Sequence, residues 1–171
     1  MADLGPVTER GDPRASRPNA DGTFTKVDAR VQVLTPIAKR LSLRAVAEGQ
    51  LTSGSLLAPE EFALGGTRIG RAFDFNEATG DHGIGGMLEV SYRLDAKKVK
   101  LFEVFAFADG GGAFRKRPSP GLPDEQWLSS AGVGTRLSAF GLLLSGEIGV
   151  PITTSHKSRG VRAFFSATKV F

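Results

Sequence analysis

The chain has 171 residues, of which 40% are hydrophobic, 22 are glycine, 12 are phenylalanine and none is cysteine. That length suits one domain, and the lack of cysteine excludes disulfides and thiolate metal sites in this chain. The formal net charge of +4 comes from lysines and arginines that are scattered and often alternate with apolar residues. Scattered positive charge is typical of a solvated surface, so we expect no nucleic-acid partner.

No stretch has the roughly 18–20 apolar residues that a membrane-spanning helix needs. The N-terminus, Met1–Pro6, lacks the basic and then apolar pattern of a signal peptide. Residues 1–22 are polar and rich in glycine and proline, which predicts a surface loop without a core face, together with the end of a preceding strand. Within residues 23–171, segments separated by turns and loops alternate between apolar and polar side chains with a period of two, which predicts strands.

Seven strand-like segments follow one another, beginning near residues 24, 41, 84, 99, 127, 142 and 161. The segment 84–94 shows the pattern most clearly. Its residues Ile84 and Leu88 share one face, and Glu89 and Arg93 share the other. The predicted connections alternate between short turns and long loops. The short turns are at 35–39, 95–98 and 140–141, and the long loops are at 52–83, 115–125 and 153–160.

Two properties of these segments favour a transmembrane β-barrel. The strands run for about 10–13 residues, which is long for a soluble sheet and close to what a tilted membrane strand requires. Short turns at one end and long loops at the other are the arrangement of outer-membrane barrels, whose inner face also accepts charged residues. The fold is therefore predicted to be all-β, with about seven antiparallel strands that form part of a transmembrane β-barrel.

The long connection at 52–83 is the most informative stretch of the chain. Connections of this length without periodicity are usually functional or disordered. Ile69, Phe73 and Phe75 argue against disorder, because disorder would leave them in water, and several glycines allow a path that folds inward. A loop that folds into a barrel and carries Arg71 in its middle requires an acidic partner in the wall.

Asp109 is the best candidate for that partner. It is in phase with Glu103 and Phe107, whereas Phe102, Val104, Ala106 and Ala108 form an apolar outward face. Asp109 is therefore predicted to point inward, and the glycines that follow it leave room for another segment to approach. Opposite Arg71, it would form a charge-assisted hydrogen bond.

The stretch Leu64–Phe73, continued by Gly80–Gly83, resembles the inward-folded loop of the ShlB/FhaC/HecB family of two-partner-secretion transporters. That loop carries a Val-Arg-Gly-Tyr/Phe motif followed by Gly-Asp-x-Gly, and Phe107-x-Asp109-x-Gly111 resembles the family's wall motif. Two positions depart from the pattern, because Ala72 stands where glycine is usual and Gly70 where an aliphatic residue is usual. The resemblance makes Arg71 and Asp109 a loop-to-wall lock, makes Phe107 and Gly111 the wall motif, and assigns to the loop motif Gly70, Ala72, Phe73, Gly80, Asp81 and Gly83.

The resemblance covers the whole chain as the C-terminal part of a larger barrel, so the strands are expected to be an incomplete set. It implies passage of an unfolded partner polypeptide, of haemolysin or adhesin type, through a barrel in the bacterial outer membrane. Further partners that it implies are outer-membrane lipid, lipopolysaccharide and the barrel assembly machinery. Phe165 and the terminal Phe171 resemble the insertion signal of such barrels.

Two other functions stay open at this point. An outer-membrane protein assembly factor of the same superfamily would share the fold. A soluble β-rich binding domain would need a second sheet against the outward faces. We expect no catalytic residue, no metal and no cofactor, because His82 and His156 lie in predicted loops without matched ligands.

Overall fold

The computed structural model describes residues 2–3, 15–17, 19–95, 99–118, 121–153 and 160–169. It is built from β-strands, and its other regular element within these ranges is one 3-10 turn, Ala58–Glu60. The strands in chain order are β1 (Ala2–Asp3), β2 (Thr23–Phe24), β3 (Lys26–Ala38), β4 (Leu41–Thr52), β5 (Phe62–Leu64), β6 (Ala78–Gly80), β7 (His82–Arg93), β8 (Leu101–Phe114), β9 (Glu125–Ala139), β10 (Leu142–Pro151) and β11 (Arg162–Lys169).

Seven of the strands form one antiparallel sheet in the order β3-β4-β7-β8-β9-β10-β11. Each long strand pairs with the next long strand of the chain, so the sheet is an up-and-down meander. The predicted all-β fold with about seven antiparallel strands is confirmed. Across the described ranges, no helix is long and apolar enough to cross a membrane.

The two faces of the sheet differ in polarity. Along β7, Ile84 and Leu88 are exposed on one face, whereas Met87 and Glu89 are buried on the other. The same alternation continues through the neighbouring strands, as the phase of Asp109 in β8 shows. Apolar residues outside and polar residues inside are typical of outer-membrane barrels. No second sheet covers the apolar face in the part of the chain that the structure describes.

The described connections agree with the predicted ones, with one correction, and the predicted turn at 95–98 and loop at 153–160 lie largely outside the described residues. The predicted turn at 35–39 is wrong, because β3 continues to Ala38 and the turn is Lys39–Arg40. The register shifts between Pro36 and Ala38, which indicates an irregularity of the β-bulge type. A proline is tolerated at such a place on an edge strand, so it does not end β3.

The long connection folds back onto the polar face of the sheet, and we call residues 53–81 the inner hairpin. It has strands of its own, since β5 pairs with β6 from Phe62 opposite Gly80 to Leu64 opposite Ala78. Its apolar side chains form a buried cluster against β8 and β9, with members Phe62, Leu64, Ile69, Ala72, Phe73, Ala78, Ala113 and Leu128. Phe75 does not join this cluster. It is two-thirds exposed, and its ring lies edge-on to that of Phe164.

Glycines in the wall allow the inner hairpin to approach closely. A Cβ added at Gly83 would lie 1.9 Å from Cδ1 of Phe62. A Cβ at Gly111 would lie 2.4 Å from the carbonyl oxygen of Ile84 and 3.1 Å from a methyl group of Leu64. Side chains at these two positions would therefore push the hairpin away from the sheet.

Gly83→Ala is expected to lower the free energy of unfolding by about 1–3 kcal/mol, because the buried ring of Phe62 has little space into which to move. The measurement is denaturant unfolding in detergent micelles, which cover the apolar outer face. Gly146→Ala is the matched control, since a Cβ there meets Phe165 at 3.9 Å, an ordinary contact. Equal stability of the two variants would contradict the close packing of hairpin and wall.

Candidate functional site

Two clusters of charged residues attach the inner hairpin to its surroundings. The tip cluster surrounds Arg71 near the middle of the hairpin segment, and its members are Arg71, Glu89, Phe107, Asp109 and Glu147. The root cluster lies where the hairpin leaves the wall, and its members are Arg17, Glu61 and Asp81.

The tip cluster contains a buried ion pair between Arg71 and Asp109. Nε of Arg71 donates to Oδ2 of Asp109 over 3.1 Å, and the two side chains are 5% and 0% exposed. Oδ1 of Asp109 accepts the backbone N–H of Gly70 at 2.8 Å, and the hydroxyl group of Ser130 donates to the same oxygen. Both carboxylate oxygens thus have donors, which is the condition under which a buried ion pair is tolerated.

Arg71 also contacts residues that the sequence analysis did not pair with it. Its Nη1 donates to Glu147 of β10 at 3.0 Å and to Glu89 of β7 at 3.4 Å. Its Cζ atom lies 3.6 Å from the centroid of the Phe107 ring, a cation–π geometry. One guanidinium group therefore connects the hairpin to three strands of the sheet. The sequence indicated this contact in part, because the alternation along β10 places Glu147 on the same polar face as Ser145.

Glu89 has a second arginine partner in the wall. Arg136 of β9 donates to its two oxygens at 2.7 and 2.9 Å, and also donates to Glu103 at 3.2 Å. The Cζ atom of Arg136 lies 3.9 Å from the centroid of the Phe105 ring. Glu89 therefore depends less on Arg71 than Asp109 does.

The hairpin carries another cation, Arg68, for which the sequence analysis named no partner. Its Nη2 lies 2.7 Å from Oε1 of Glu48 in β4, and the other oxygen of Glu48 accepts from Arg30 at 3.0 Å. The side chain of Arg68 is 63% exposed. An ion pair in contact with water contributes about 0–1 kcal/mol, so this contact is weaker than that of Arg71.

In the root cluster, three segments of the chain meet at the carboxylate of Asp81, whose side chain is fully buried. Arg17 binds it through two hydrogen bonds, from Nη1 at 2.6 Å and from Nη2 at 3.0 Å. The backbone N–H groups of Leu56 and Lys116 donate to the same carboxylate at 2.6 and 2.8 Å. The segment before β3, the start of the inner hairpin and the β8–β9 loop are therefore all fixed to Asp81.

Burial alone raises the pKa of Asp81, but the hydrogen bonds from Arg17, Leu56 and Lys116 outweigh burial and hold that pKa below its ordinary value. Burial likewise lowers the pKa of Arg17, yet the hydrogen bond to Asp81 and the charges of Asp81 and Glu61 leave it raised. The pair is thus ionised at neutral pH.

The segment before β3 differs from its prediction. Residues 15–22 were expected to have no contact with a core, but Arg17 and Ala20 are buried. The reason is that Arg17 reaches into the root cluster, so a polar side chain holds this segment against the hairpin.

The other residues assigned to the loop and wall motifs lie in or beside the inner hairpin. Gly70 adopts a positive φ of 83°, which favours glycine, immediately before Arg71. Ala72 and Phe73 are fully buried, Gly80 belongs to β6, and Gly83 and Gly111 belong to the wall. A Cβ added at Gly149 of β10 would lie 3.6 Å from the Cβ of Ala72.

The residues assigned to the insertion signal, and the two histidines for which no metal was expected, lie elsewhere. Phe165 is exposed on the outward face of β11, and Phe171 and His156 lie outside the described residues. Nδ1 of His82 accepts the N–H of Thr52 at 3.3 Å. Within the described ranges, no group of three or more acidic, histidine or cysteine side chains could hold a metal ion.

An apolar outer face, a charged inner face and a hairpin attached to that inner face define part of an outer-membrane type of β-barrel. The haemolysin secretion/activation protein family ShlB/FhaC/HecB matches residues 5–137, and the chain belongs to this family. The resemblance inferred from the sequence is thereby confirmed.

Two solved structures are similar to this chain. CdiB from Escherichia coli matches with a TM-score of 0.78 and 20% identity, over 98% of this chain and 30% of that protein. CdiB from Acinetobacter baumannii matches with a TM-score of 0.65 and 21% identity, over 84% of this chain and 26% of that protein. At these identities the likeness shows the fold, and the chain spans less than a third of either relative. No curated protein matches the chain.

Asp81→Asn is expected to lower the free energy of unfolding by about 3–5 kcal/mol near neutral pH, because the buried Arg17 loses the charge of Asp81 and keeps only Glu61 as a counter-charge. The pKa of Asp81 is depressed in the folded state, so the stabilisation is complete above the ordinary pKa of about 3.9. It is lost as the pH falls through the lower, folded pKa.

The measurement is the difference in unfolding free energy between the wild type and Asp81→Asn as the pH is lowered from neutral. We expect a constant difference down to about pH 4 and a shrinking one below it. A difference that already shrinks between about pH 7 and pH 5 would show that the carboxylate is not held ionised by the root cluster.

Proposed function

We propose that this chain is the C-terminal barrel portion of a two-partner-secretion transporter in the bacterial outer membrane. It passes an unfolded partner polypeptide, of haemolysin or adhesin type, through the barrel lumen. Membership of the ShlB/FhaC/HecB family supports this function over outer-membrane protein assembly. The observation that carries it is the inner hairpin, which a buried arginine fixes to the charged face of the sheet.

The inner hairpin lies on the face that becomes the lumen wall when further strands complete the barrel. It occupies the side formed by β7, β8 and β9, where its apolar cluster packs. The tip cluster holds it there, because Arg71 loses its carboxylate partners if the hairpin leaves. Undocking also exposes the buried apolar cluster to water, which is unfavourable. The docked hairpin is thus the resting arrangement and shapes the path open to a passing polypeptide.

The outer face supplies the contacts with the remaining partners in this proposal. Val31, Leu88 and Val133 are exposed there and suit the acyl chains of outer-membrane lipid. Trp127 and Tyr92 are partly exposed on the same face, and such residues favour the level of the lipid headgroups, including those of lipopolysaccharide. Phe165, exposed on β11, is the described part of the signal through which the barrel assembly machinery would insert the protein. Transport of this kind requires no cofactor and no covalent chemistry.

Arg71→Ala in the full-length transporter is expected to reduce secretion of the partner polypeptide by about tenfold or more, because the tip of the hairpin loses its buried ion pair. Arg71→Lys is expected to be intermediate, since an ammonium group cannot reproduce the fork of a guanidinium group. The measurement is the amount of partner polypeptide in the culture medium, normalised to the transporter in the outer membrane.

Arg68→Ala is the matched control for Arg71→Ala. It removes an arginine from the same hairpin, but one whose exposed pair with Glu48 contributes little. Secretion by Arg68→Ala is expected to stay within about twofold of the wild type, in keeping with a contribution of less than about 1 kcal/mol. Secretion at the wild-type level by Arg71→Ala, with the barrel inserted, would disprove the proposed role of the tip cluster.

A further inference from the structure

We infer that Arg17, a residue outside the inner hairpin, is a positioning residue for the tip cluster. It joins the two legs of the hairpin at their root and thereby determines where Arg71 lies. The inference concerns the hairpin's position, and it rests on the proposed function only for its consequence in secretion.

The inner hairpin cannot hold its own position. Its ribbon has three paired positions, from Phe62–Gly80 to Leu64–Ala78, and an isolated two-stranded ribbon is marginally stable at best. Gly65 and Gly66 follow directly with positive φ values of 105° and 87°, and their N–H groups donate to the carbonyl oxygens of Ile69 and Phe73 in the turn of the hairpin. The location of the tip therefore depends on contacts with the surroundings, which are the apolar cluster against β8 and β9 and the charged attachments at the two ends of the hairpin.

Arg17 provides the attachment at the root. Its Nη1 contacts the leg that enters the hairpin, at the carbonyl oxygen of Leu56 (3.2 Å) and at Oε1 of Glu61 (2.8 Å). Its two terminal nitrogens bind the carboxylate of Asp81, which lies on the leg that leaves. Its Nη2 also donates to the carbonyl oxygen of Arg117 at 3.2 Å. One buried guanidinium group thus holds both legs together and against the β8–β9 loop.

A neutral side chain of the wall makes the same kind of bridge. Nε2 of Gln50 in β4 donates to the carbonyl oxygens of Glu60 at 3.2 Å and of Asp81 at 3.0 Å. Glu60 is on the entering leg and Asp81 on the leaving leg. Arg17 and Gln50 therefore act on the same two legs from different parts of the fold.

The tip and root clusters have no common contact. In the described parts of the chain, neither Arg17 nor Asp81 forms a hydrogen bond or ion pair with a member of the tip cluster. Any effect of Arg17 on the tip is therefore indirect, and it passes through the hairpin or through the β8–β9 loop that Arg17 also contacts. A change at the tip after substitution of Arg17 would therefore show a positioning role and not the loss of a direct contact.

The test measures the position of the tip in the full-length transporter in lipid vesicles. The chain contains no cysteine. Spin labels are attached at Thr67→Cys, exposed at the tip, and Thr135→Cys, exposed on the outer face of β9, after replacement of any cysteine elsewhere in the transporter. Their distance distribution is recorded by pulsed electron paramagnetic resonance. A docked tip gives one narrow distance.

Arg17→Ala is expected to add a broad second population and to lower the ratio of docked to undocked tips by about tenfold, since removal of one partner of a buried ion pair is strongly destabilising. Arg117→Ala is the matched control. It removes the partly exposed pair of Arg117 with Asp21 but keeps the backbone carbonyl that accepts from Arg17, so the distance should stay narrow.

A narrow, unchanged distance in an inserted Arg17→Ala variant would overturn the inference. If Arg17→Ala does not insert, Arg17→Lys provides the test. It keeps the charge, but its ammonium group cannot make the five contacts of the guanidinium group, so a narrow distance in this variant would also overturn the inference. The distance between the spin labels is measured without any secretion, so this test and the secretion test can fail separately. Normal secretion by Arg71→Ala would disprove the proposed function and leave the positioning role of Arg17 standing.

Discussion

The guanidinium group of Arg71 is the interaction on which the rest of the site depends. It is a buried cation that lies over the ring of Phe107 and contacts carboxylates from β7, β8 and β10. A buried charge is tolerated only while its partners are in place, so it fixes the hairpin at one location on the sheet. The glycines of the wall allow the hairpin to lie this close to the sheet, because a side chain at Gly83 or Gly111 would keep the hairpin at a distance.

The sheet and the hairpin together provide partners for the charged residues of the inner face. An up-and-down sheet with an apolar outer face has an inner face rich in charge, and in a filled lumen these charges require partners. The inner hairpin supplies Arg71 to Asp109 and Glu147, while Arg136 from the wall neutralises Glu89 and Glu103. At the other end of the hairpin, the root cluster uses the same chemistry, with Arg17 donating to Asp81. Ion pairs at both ends, together with the apolar cluster between hairpin and wall, thus replace the strand pairing that a three-residue ribbon cannot provide.

The strands could be predicted because alternation with a period of two depends on local sequence alone. The same phase placed Asp109 on the inner face, which identified the residue that Arg71 contacts. The contacts of Glu147 and Arg17 could not be predicted in this way, because they join segments 76 and 64 residues apart in the sequence. The β5–β6 ribbon is too short for a periodic signal, and the continuation of β3 past Pro36 depends on its place at the edge of the sheet.

The most direct measurement replaces the ion pair by a covalent bond. The Cβ of Ala72 and a Cβ built at Gly149 are 3.6 Å apart, within the range of a disulfide, so Ala72→Cys with Gly149→Cys can join the tip of the hairpin to β10. The two cysteines are introduced into Arg71→Ala, and secretion is measured before and after oxidation. If Arg71 serves to hold the hairpin in place, oxidation restores secretion and reduction abolishes it again. A disulfide that forms without restoring secretion would contradict the account.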